Sequence, residues 1–336
     1  MSPYETARNV VAAFSGVTPE RFANDIQPAN QPAVLKGLLS GWPMMAFGSD
    51  DALIDYLLSH DRGDPYGVYV GAPEIKGHFF YGADTRSENF RFGPAPLRQV
   101  LNNLKTERSS AAPQSIFIQS AELHRYLPAV RDTHRLDLLP PGIEPRIWIG
   151  NETVTRVHYD LNQNLICVVA GRRRVMLYPP EQLPNLYPGP FDRTIGGVPV
   201  GMVDPENPDL ERYPRFALAQ DAVQIAELEA GDVLYIPFGW WHQVRSLARF
   251  NVMINYWWDD APKAAAQAYD ALFHAVLALR DQPSSRKAIW KALFDYHIFS
   301  EAPLAHLTPQ ERGTLGEMTP QRIAQIKRVL RQNLNN

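Results

Sequence analysis

Two histidines and one aspartate have a spacing in this sequence that indicates chemistry. His158 and Asp160 lie two residues apart in "VTRVHYDLNQN", among residues that favour β-strands. Because successive side chains of a strand alternate between its faces, both point to one side while Tyr159 points to the other. His242 comes later, in "GDVLYIPFGWWHQV", where Pro237 ends a strand ahead of two tryptophans. If the two strands are neighbours, two imidazoles and one carboxylate meet on one wall.

Two imidazoles and one carboxylate are a characteristic metal-binding set. Non-haem Fe(II) oxygenases place such a set on one face of the metal and leave the other coordination positions open. We therefore predict that His158, Asp160 and His242 bind the metal and form the catalytic centre. The alternative gives each of them a structural role, in which case the chain is a metal-free structural or dimerisation module.

Short strands must position these residues. From about residue 115 to 262, apolar runs rich in β-branched and aromatic residues alternate with turn signals. The runs are "SIFIQ", "RIWIG", "NLICVVAG", "RVMLYPP", "VQIAELEAGD", "VLYIP" and "FNVMINYW". This spacing predicts an all-β sandwich or barrel, interrupted at 179–215 by a Pro-rich insertion that forms an ordered loop.

The segments on either side of this core have a different pattern. Residues 1–114 mix short helical patterns, such as the one over 49–60, with loops, and we predict that they form α/β elements that pack on the core. Residues 263–336 form a predicted helical region. Its three predicted helices span 263–280, 285–299 and 319–332, the last with Thr319 as N-cap and Pro320 at its first position. Their apolar stripes either pack on their own domain or join two copies as a homodimer.

Composition excludes several classes of protein. The chain has 336 residues, 45% of them hydrophobic, which is enough for one large core. Its net charge of -3, without a dense block of Lys or Arg, argues against a nucleic-acid partner. Cys167 is the single cysteine, which excludes an intrachain disulfide and favours a reducing compartment. The N-terminal residues lack a long apolar segment, so we expect a cytoplasmic protein that does not bind membranes.

Five motifs together resemble a known family. They are "TVTRVHYDLNQN", "GRRRVMLYPPEQLPNLYP", "NPDLERYPRF", "GDVLYIPFGWWHQVRSL" and "VMINYWW". The chain resembles the JmjC/cupin-like (Cupin_8) 2-oxoglutarate oxygenases, and within them especially the asparaginyl hydroxylase factor inhibiting HIF. The resemblance covers about 115–262 and, more weakly, 31–43. It implies a double-stranded β-helix of the jelly-roll type that uses Fe(II) and converts 2-oxoglutarate and O₂ to succinate and CO₂ as it hydroxylates a substrate.

The resemblance also implies roles for individual residues. His158, Asp160 and His242 match the iron ligands of the family. The residues that match its co-substrate pocket and metal surroundings are Thr155, Asn164, Arg173, Asn255 and Trp257. Gln119 and Tyr159 are the candidate residues on the substrate side.

Two positions depart from the family pattern. Arg173 stands where the hydroxylase has a lysine that binds the distal carboxylate of 2-oxoglutarate. Strand alternation turns Arg173 inward with Val175, and a guanidinium can grip a carboxylate with two hydrogen bonds. The alternative is a structural ion pair. Phe117 replaces a tyrosine, so a hydrogen bond of about 1 kcal/mol to the same carboxylate is missing or supplied elsewhere.

The resemblance favours a protein side chain as the substrate. The insertion at 179–215, where such enzymes shape their specificity, does not align, so the substrate itself stays open. A small molecule or an RNA base is an alternative substrate. A further alternative is a non-catalytic, metal-binding regulatory protein, which the changes at Arg173 and Phe117 keep open.

Overall fold

The computed structural model describes residues 9–195, 197–261, 263–301 and 303–334. They separate into two compact units, one ending at Asp260 and one beginning at Ala261. The strands of the first unit are β1 (Ala12–Ser15), β2 (Ala33–Lys36), β3 (Tyr66–Gly71), β4 (Phe90–Ala95), β5 (Ser115–Glu122), β6 (Pro145–Gly150), β7 (Val154–Tyr159), β8 (Gln163–Ala170), β9 (Arg172–Tyr178), β10 (Gln224–Glu229), β11 (Val233–Ile236), β12 (Trp241–Ser246) and β13 (Asn251–Trp258). Its helices are α1 (Pro19–Arg21), α2 (Asp50–His60), α3 (Leu97–Glu107), α4 (Leu123–Tyr126), α5 (Pro128–Thr133) and α6 (Phe216–Ala222).

The described strands form two sheets. The major sheet has nine strands in the order β1-β2-β11-β8-β13-β6-β5-β3-β4, and the minor sheet has four in the order β10-β9-β12-β7. Apart from the parallel β1/β2 pair, neighbouring strands run antiparallel. Two sheets whose strands cross over in this way form a jelly roll, which confirms the predicted mainly β, double-stranded β-helix core.

Apolar side chains fill three layers. The layer between the sheets holds Ile166 and Met253 of the major sheet and Val175 of the minor sheet. A second layer lies on the other face of the major sheet and includes apolar side chains of α2 and α3. The third layer packs the outer face of the minor sheet, including Trp241, against the segment that contains α6. A polar side chain on the inner face of either sheet is therefore surrounded by apolar groups and needs a hydrogen-bonding partner.

One glycine turns the chain from the major sheet into the minor sheet. Gly171 alone separates β8 from β9 and has a φ of +78°. A Cβ at this position would lie 2.7 Å from the carbonyl oxygen of Phe250, so both the backbone angle and the space require glycine. This corner starts β9 in the register that turns Arg173 toward the space between the sheets.

The N-terminal segment contains more strand than its pattern indicates. The helix predicted over 49–60 is α2, and the Ser49 hydroxyl caps it by accepting a hydrogen bond from the Ala52 N–H at 3.3 Å. β1 to β4 lie in the segment predicted to form α/β elements, although its local pattern indicates helices and loops, and all four join the major sheet. These strands have four to six residues, which is too short for a clear alternation, so pairing within the sheet decides their conformation.

The second unit consists of helices α7 (Ala268–Leu279), α8 (Ser284–His297) and α9 (Pro320–Leu334). Thr319 precedes α9, and its hydroxyl accepts a hydrogen bond from the Arg322 N–H at 3.3 Å, as the sequence predicts. Several large apolar side chains of α7 and α8 are exposed, including Leu272, Trp290 and Phe294. The homodimer stays a prediction.

Across the described residues, none of the helices combines the length and the apolar character needed to span a bilayer.

Candidate metal centre and co-substrate pocket

Strand register brings the three predicted metal ligands together. β7 and β12 are neighbours in the minor sheet, and His158 lies directly opposite His242. The two imidazole centroids are 4.3 Å apart. Asp160 follows the end of β7, and its Oδ2 lies 3.6 Å from His242 Nε2. One ligand atom from each residue lies within 4.8 Å of the others, a spacing that a single cation can bridge.

Backbone carbonyls orient both imidazoles. His158 Nδ1 lies 2.8 Å from the carbonyl oxygen of Arg156, and His242 Nδ1 lies 3.0 Å from that of Trp240. A carbonyl can only accept, so in both rings Nδ1 carries the proton and Nε2 keeps its lone pair. Burial, together with the neighbouring His158, lowers the pKa of His242 to about 4, which keeps this ring neutral. Both Nε2 atoms are thus suited to coordinate a metal.

A chain of hydrogen bonds fixes the carboxylate. Asp160 Oδ2 accepts from Trp257 Nε1 at 3.1 Å and from Asn164 Nδ2 at 3.3 Å. Asn164 Oδ1 in turn accepts from Asn255 Nδ2 at 3.2 Å, and Asn255 Oδ1 accepts from Trp148 Nε1 at 2.7 Å. These side chains come from β6, β8 and β13 of the major sheet. The major sheet therefore orients a ligand of a site whose histidines belong to the minor sheet.

This donor set fits Fe(II). Two neutral imidazoles and one carboxylate are the ligands that non-haem Fe(II) centres use, and none of them is a thiolate that would favour zinc or copper(I). The single cysteine, Cys167, is fully buried in the layer between the major sheet and the helices.

Arg173 is a buried cation without a carboxylate partner. Its residue is 2% exposed, and its Nη1 donates to the Ser246 hydroxyl at 2.8 Å. Its Nε has no acceptor, and in the part of the chain that the structure describes no carboxylate lies within 4.0 Å of the guanidinium. Burial lowers the pKa of Arg173 to about 10, so the group is still charged at neutral pH. These residues therefore offer no carboxylate for the structural ion pair considered for Arg173. An anionic ligand would supply the missing negative charge.

A cavity adjoins the metal ligands. It has an empty volume of about 630 Å³, its open mouth included, and is bordered by His158 and Asp160. Of the residues singled out in the sequence, Thr155, Phe117, Gln119 and Trp257 also line it. Most of the remaining wall is apolar, and it is formed by Tyr69, Phe79, Trp148, Val154, Ile195, Val198 and Val200.

The structure does not bring Tyr159 to this cavity. Its ring packs 4.7 Å from that of Trp241, in the apolar layer on the outer face of the minor sheet. The alternation of β7 explains the difference, because Tyr159 lies between two residues that face inward.

Several residues of the site were not identified from the sequence. Trp148 and Ser246 bind predicted site residues, and Arg156 lines the cavity. Ile195, Val198 and Val200 of the insertion form one of its walls. For Arg156, the sequence indicates a role only through its position two residues before His158. The insertion gives no such indication, because it does not align with the family.

Comparison with known proteins agrees with this architecture. The profile of a family described as "Cupin-like domain" matches residues 19–264. The tRNA wybutosine-synthesizing protein 5 of Gallus gallus is 30% identical over 280 residues, which is 77% of this chain and 79% of that protein. The human bifunctional peptidase and (3S)-lysyl hydroxylase JMJD7 is 28% identical over 297 residues, 77% of this chain and 87% of that protein.

A third relative matches over a shorter region. The lysine-specific demethylase JMJ31 of Arabidopsis thaliana is 42% identical over 211 residues, which cover 62% of this chain but only 34% of the demethylase. The names of these relatives thus include protein-modifying and tRNA-modifying activities. They do not single out an asparaginyl hydroxylase. The name that refers to tRNA also weakens the argument against a nucleic-acid substrate that was based on the net charge.

Proposed function

The chain belongs to the family of cupin-like domains, and from this premise we propose that it is an Fe(II)- and 2-oxoglutarate-dependent oxygenase that hydroxylates a protein side chain. The observation that carries the proposal is the pairing of two features on the inner face of one sheet. His158 and His242 present open Nε2 atoms beside Asp160, and Arg173 presents a buried cation that lacks an anion.

The distance between these features suits 2-oxoglutarate. Arg173 lies opposite Ser246, and Ser246 is four residues along β12 from His242. Four residues of strand span about 13 Å. A five-carbon dicarboxylate together with an extended arginine side chain covers this distance, so one end of the co-substrate can meet the metal and the other can meet Arg173. Thr155, which borders the cavity beside His158, lies between the two ends.

In this proposal the protein binds the metal and 2-oxoglutarate, orients them, and excludes water from the site. Fe(II) held by His158, Asp160 and His242 would activate O₂. Two of the four electrons that O₂ accepts would come from the oxidative decarboxylation of 2-oxoglutarate to succinate and CO₂, and two from the C–H bond that is hydroxylated. Arg173 would hold the distal carboxylate, and its partner Ser246 keeps the guanidinium in place. Trp257 and Asn164 keep Asp160 oriented. The aromatic wall lowers the water content next to the reacting atoms.

Protein hydroxylation is the first candidate because relatives named as a (3S)-lysyl hydroxylase and a lysine-specific demethylase act on protein side chains. Oxidation of an RNA base is the second, and the relative named as a tRNA wybutosine-synthesizing protein favours it. Both candidates share the metal and the co-substrate, so they differ only in what the cavity admits.

An anaerobic titration tests the shared chemistry. Fe(II) and then 2-oxoglutarate are added to the metal-free protein, and the visible charge-transfer band of a keto acid bound to iron is recorded. We expect the band in the wild type and a much weaker band in Arg173→Ala. Iron binding without a band would refute the oxygenase proposal and favour a metal-binding regulatory protein. Absence of iron binding would refute the metal site as well.

The homodimer and the cytoplasmic location are separate proposals. The exposed apolar side chains of α7 and α8 support the first. Light scattering of the full chain tests it, and a monomer at micromolar concentration would refute it.

A further inference from the structure

A second buried arginine lies beside the metal ligands. Between the pairs His158/His242 and Thr155/Val244, β7 contains one residue more than β12, which produces a β-bulge at Arg156. Bulges redirect side chains and are frequent next to active sites. Arg156 lies two residues before His158, on the same face of β7, and forms part of the wall of the cavity that His158 and Asp160 border; because of the bulge, the adjacent Thr155 lines the cavity as well.

The guanidinium of Arg156 has donors without acceptors. Its side chain is 12% exposed, and its central carbon lies 4.1 Å from the centre of the Phe80 ring. The nearest carboxylate oxygen is Asp204 Oδ2, which is 3.6 Å from Nη1 and therefore too far for a hydrogen bond. Within the described residues, Nε and Nη1 are buried and have no hydrogen-bond partner. The side chain as a whole lines the cavity, so an oxygen of a ligand bound there can accept from the guanidinium once this group turns toward the cavity.

The charges around Arg156 are already balanced. Asp204 also lies 3.8 Å from His78 Nδ1, and Glu206 pairs with Arg245. Burial lowers the pKa of His78, which favours its neutral form. Two guanidinium groups thus face two carboxylates. In contrast to Arg173, which has no carboxylate nearby, Arg156 needs a hydrogen-bond acceptor and not an additional negative charge.

Two segments that lie near cavity-lining residues in the sequence are also balanced in charge. Residues 84–91 follow the cavity-lining Phe79, residues 191–193 precede the cavity-lining Ile195, and Arg193 lies 3.9 Å from Glu88. Their acidic residues are Asp84, Glu88 and Asp192, and their basic residues are Arg86, Arg91 and Arg193. A phosphate backbone is bound through an excess of positive charge. Equal numbers of both signs favour a peptide over a nucleic acid.

We propose that Arg156 determines substrate specificity by turning its guanidinium toward the cavity and donating hydrogen bonds to an amide carbonyl oxygen of a peptide substrate. The hydrocarbon part of the substrate then lies against Ile195, Val198 and Val200 of the insertion. This inference rests on the proposed oxygenase function, and it adds the class of group that the cavity recognises.

The test compares variants on a defined probe. A pooled library of synthetic random peptides is incubated with the protein, Fe(II), 2-oxoglutarate and O₂, and peptides that gain one oxygen atom are identified by mass spectrometry. For these peptides we expect Arg156→Gln to lower kcat/KM by about 10- to 100-fold, mainly through KM, because hydrogen bonds to a charged group are lost. Arg156→Lys should not restore activity, since an ammonium lacks Nε and the planar fork. The anaerobic 2-oxoglutarate band should be unchanged in both variants.

Arg245→Gln is the matched control. It removes a charge from the same group of residues, but Arg245 does not line the cavity. We expect it to change kcat/KM much less than Arg156→Gln. An equal loss in both variants would mean that Arg156 only holds the insertion in place, and would overturn the inference.

Two further outcomes would also overturn it. Unchanged peptide kinetics in Arg156→Gln would remove its role in recognition. A wild type that forms the band and oxidises unfractionated tRNA but no peptide would refute the substrate class. Absence of the band in the wild type identifies failure of the oxygenase proposal itself, on which this inference depends.

Discussion

Replacing Arg173 by Met should stabilise the protein without ligands and abolish its response to 2-oxoglutarate. Methionine fills a similar elongated volume and carries no charge. Burial lowers the pKa of Arg173 from its ordinary value of 12.5 to about 10, a difference that corresponds to about 3 kcal/mol. Since the folded-state pKa is the lower one, this cost is present below about pH 10 and fades as the pH rises above it.

The substitution also removes a favourable contact. The hydrogen bond from Arg173 to Ser246 contributes about 1 kcal/mol. The net expectation at neutral pH is therefore a metal-free variant about 2 kcal/mol more stable than the wild type. With Fe(II) present anaerobically and 2-oxoglutarate at about 100 times its Kd, the wild type should gain about 2.7 kcal/mol, and Arg173→Met should gain none.

Urea unfolding with and without the co-substrate measures both quantities. Arg174→Met is the matched control, because Arg174 lies on the same strand, faces outward and pairs with Glu227. We expect it to change the free energy of unfolding by less than about 0.5 kcal/mol and to leave the response to 2-oxoglutarate intact. An Arg173→Met variant that is less stable than the wild type would show that Arg173 is structural. A variant still stabilised by 2-oxoglutarate would refute its role in binding.

Three further perturbations test the site and its support. His158→Ala should prevent stoichiometric iron binding in reconstituted protein, whereas Tyr159→Phe, on the opposite face of β7, should bind iron normally. Metal analysis of both variants measures this, and full iron content in His158→Ala would contradict the proposed metal site. Asn255→Ala leaves Trp148 Nε1 without its acceptor. We therefore expect the free energy of unfolding in urea to fall by about 2–4 kcal/mol, and metal binding in a competition assay to be about 10- to 100-fold weaker. Unchanged metal affinity would mean that Asp160 does not need this support. Burial lowers the pKa of His134, so the unfolded chain takes up a proton that the folded protein does not, and stability should fall as the pH decreases through about 6.5. Urea unfolding at pH 7 and pH 5 should show a smaller decrease in His134→Gln, and equal decreases would contradict this reasoning.

Strand alternation predicted much of the site. It placed His158 and Asp160 on one face and turned Arg173 inward, because β7 and β9 pair over their whole length within a buried sheet. The pairing of β7 with β12 followed from the resemblance to a family and not from the pattern itself. A sequence pattern shows which face a side chain occupies, but not which strand lies next to it.

Other features depend on contacts between distant segments. The adjacent residues Thr155 and Arg156 both line the cavity because β7 bulges, and the bulge is visible only once β12 is paired with it. That Arg173 lacks a carboxylate partner likewise depends on every segment that packs around it. The wall formed by Ile195, Val198 and Val200 belongs to an insertion that has no periodic pattern and that contacts β7 through the hydrogen bond from the Gly201 N–H to the Val157 carbonyl.

The position of β7 at the edge of the minor sheet links metal binding to the order of the substrate site. Among the strands of the described residues, only β12 pairs with β7 along its length, while the other side of β7 is held by single contacts, such as the hydrogen bond from the Gly201 N–H to the Val157 carbonyl at 2.7 Å. A cation bound by both His158 and His242 cross-links β7 and β12. Part of the free energy of metal binding therefore stabilises the ordered conformation of β7. The segment around Gly201 is hydrogen-bonded to β7 and shares that equilibrium. Removal of the metal should therefore speed hydrogen exchange in β7 and in the adjoining insertion together, so that the cavity wall formed by the insertion is fully ordered only when a metal is bound.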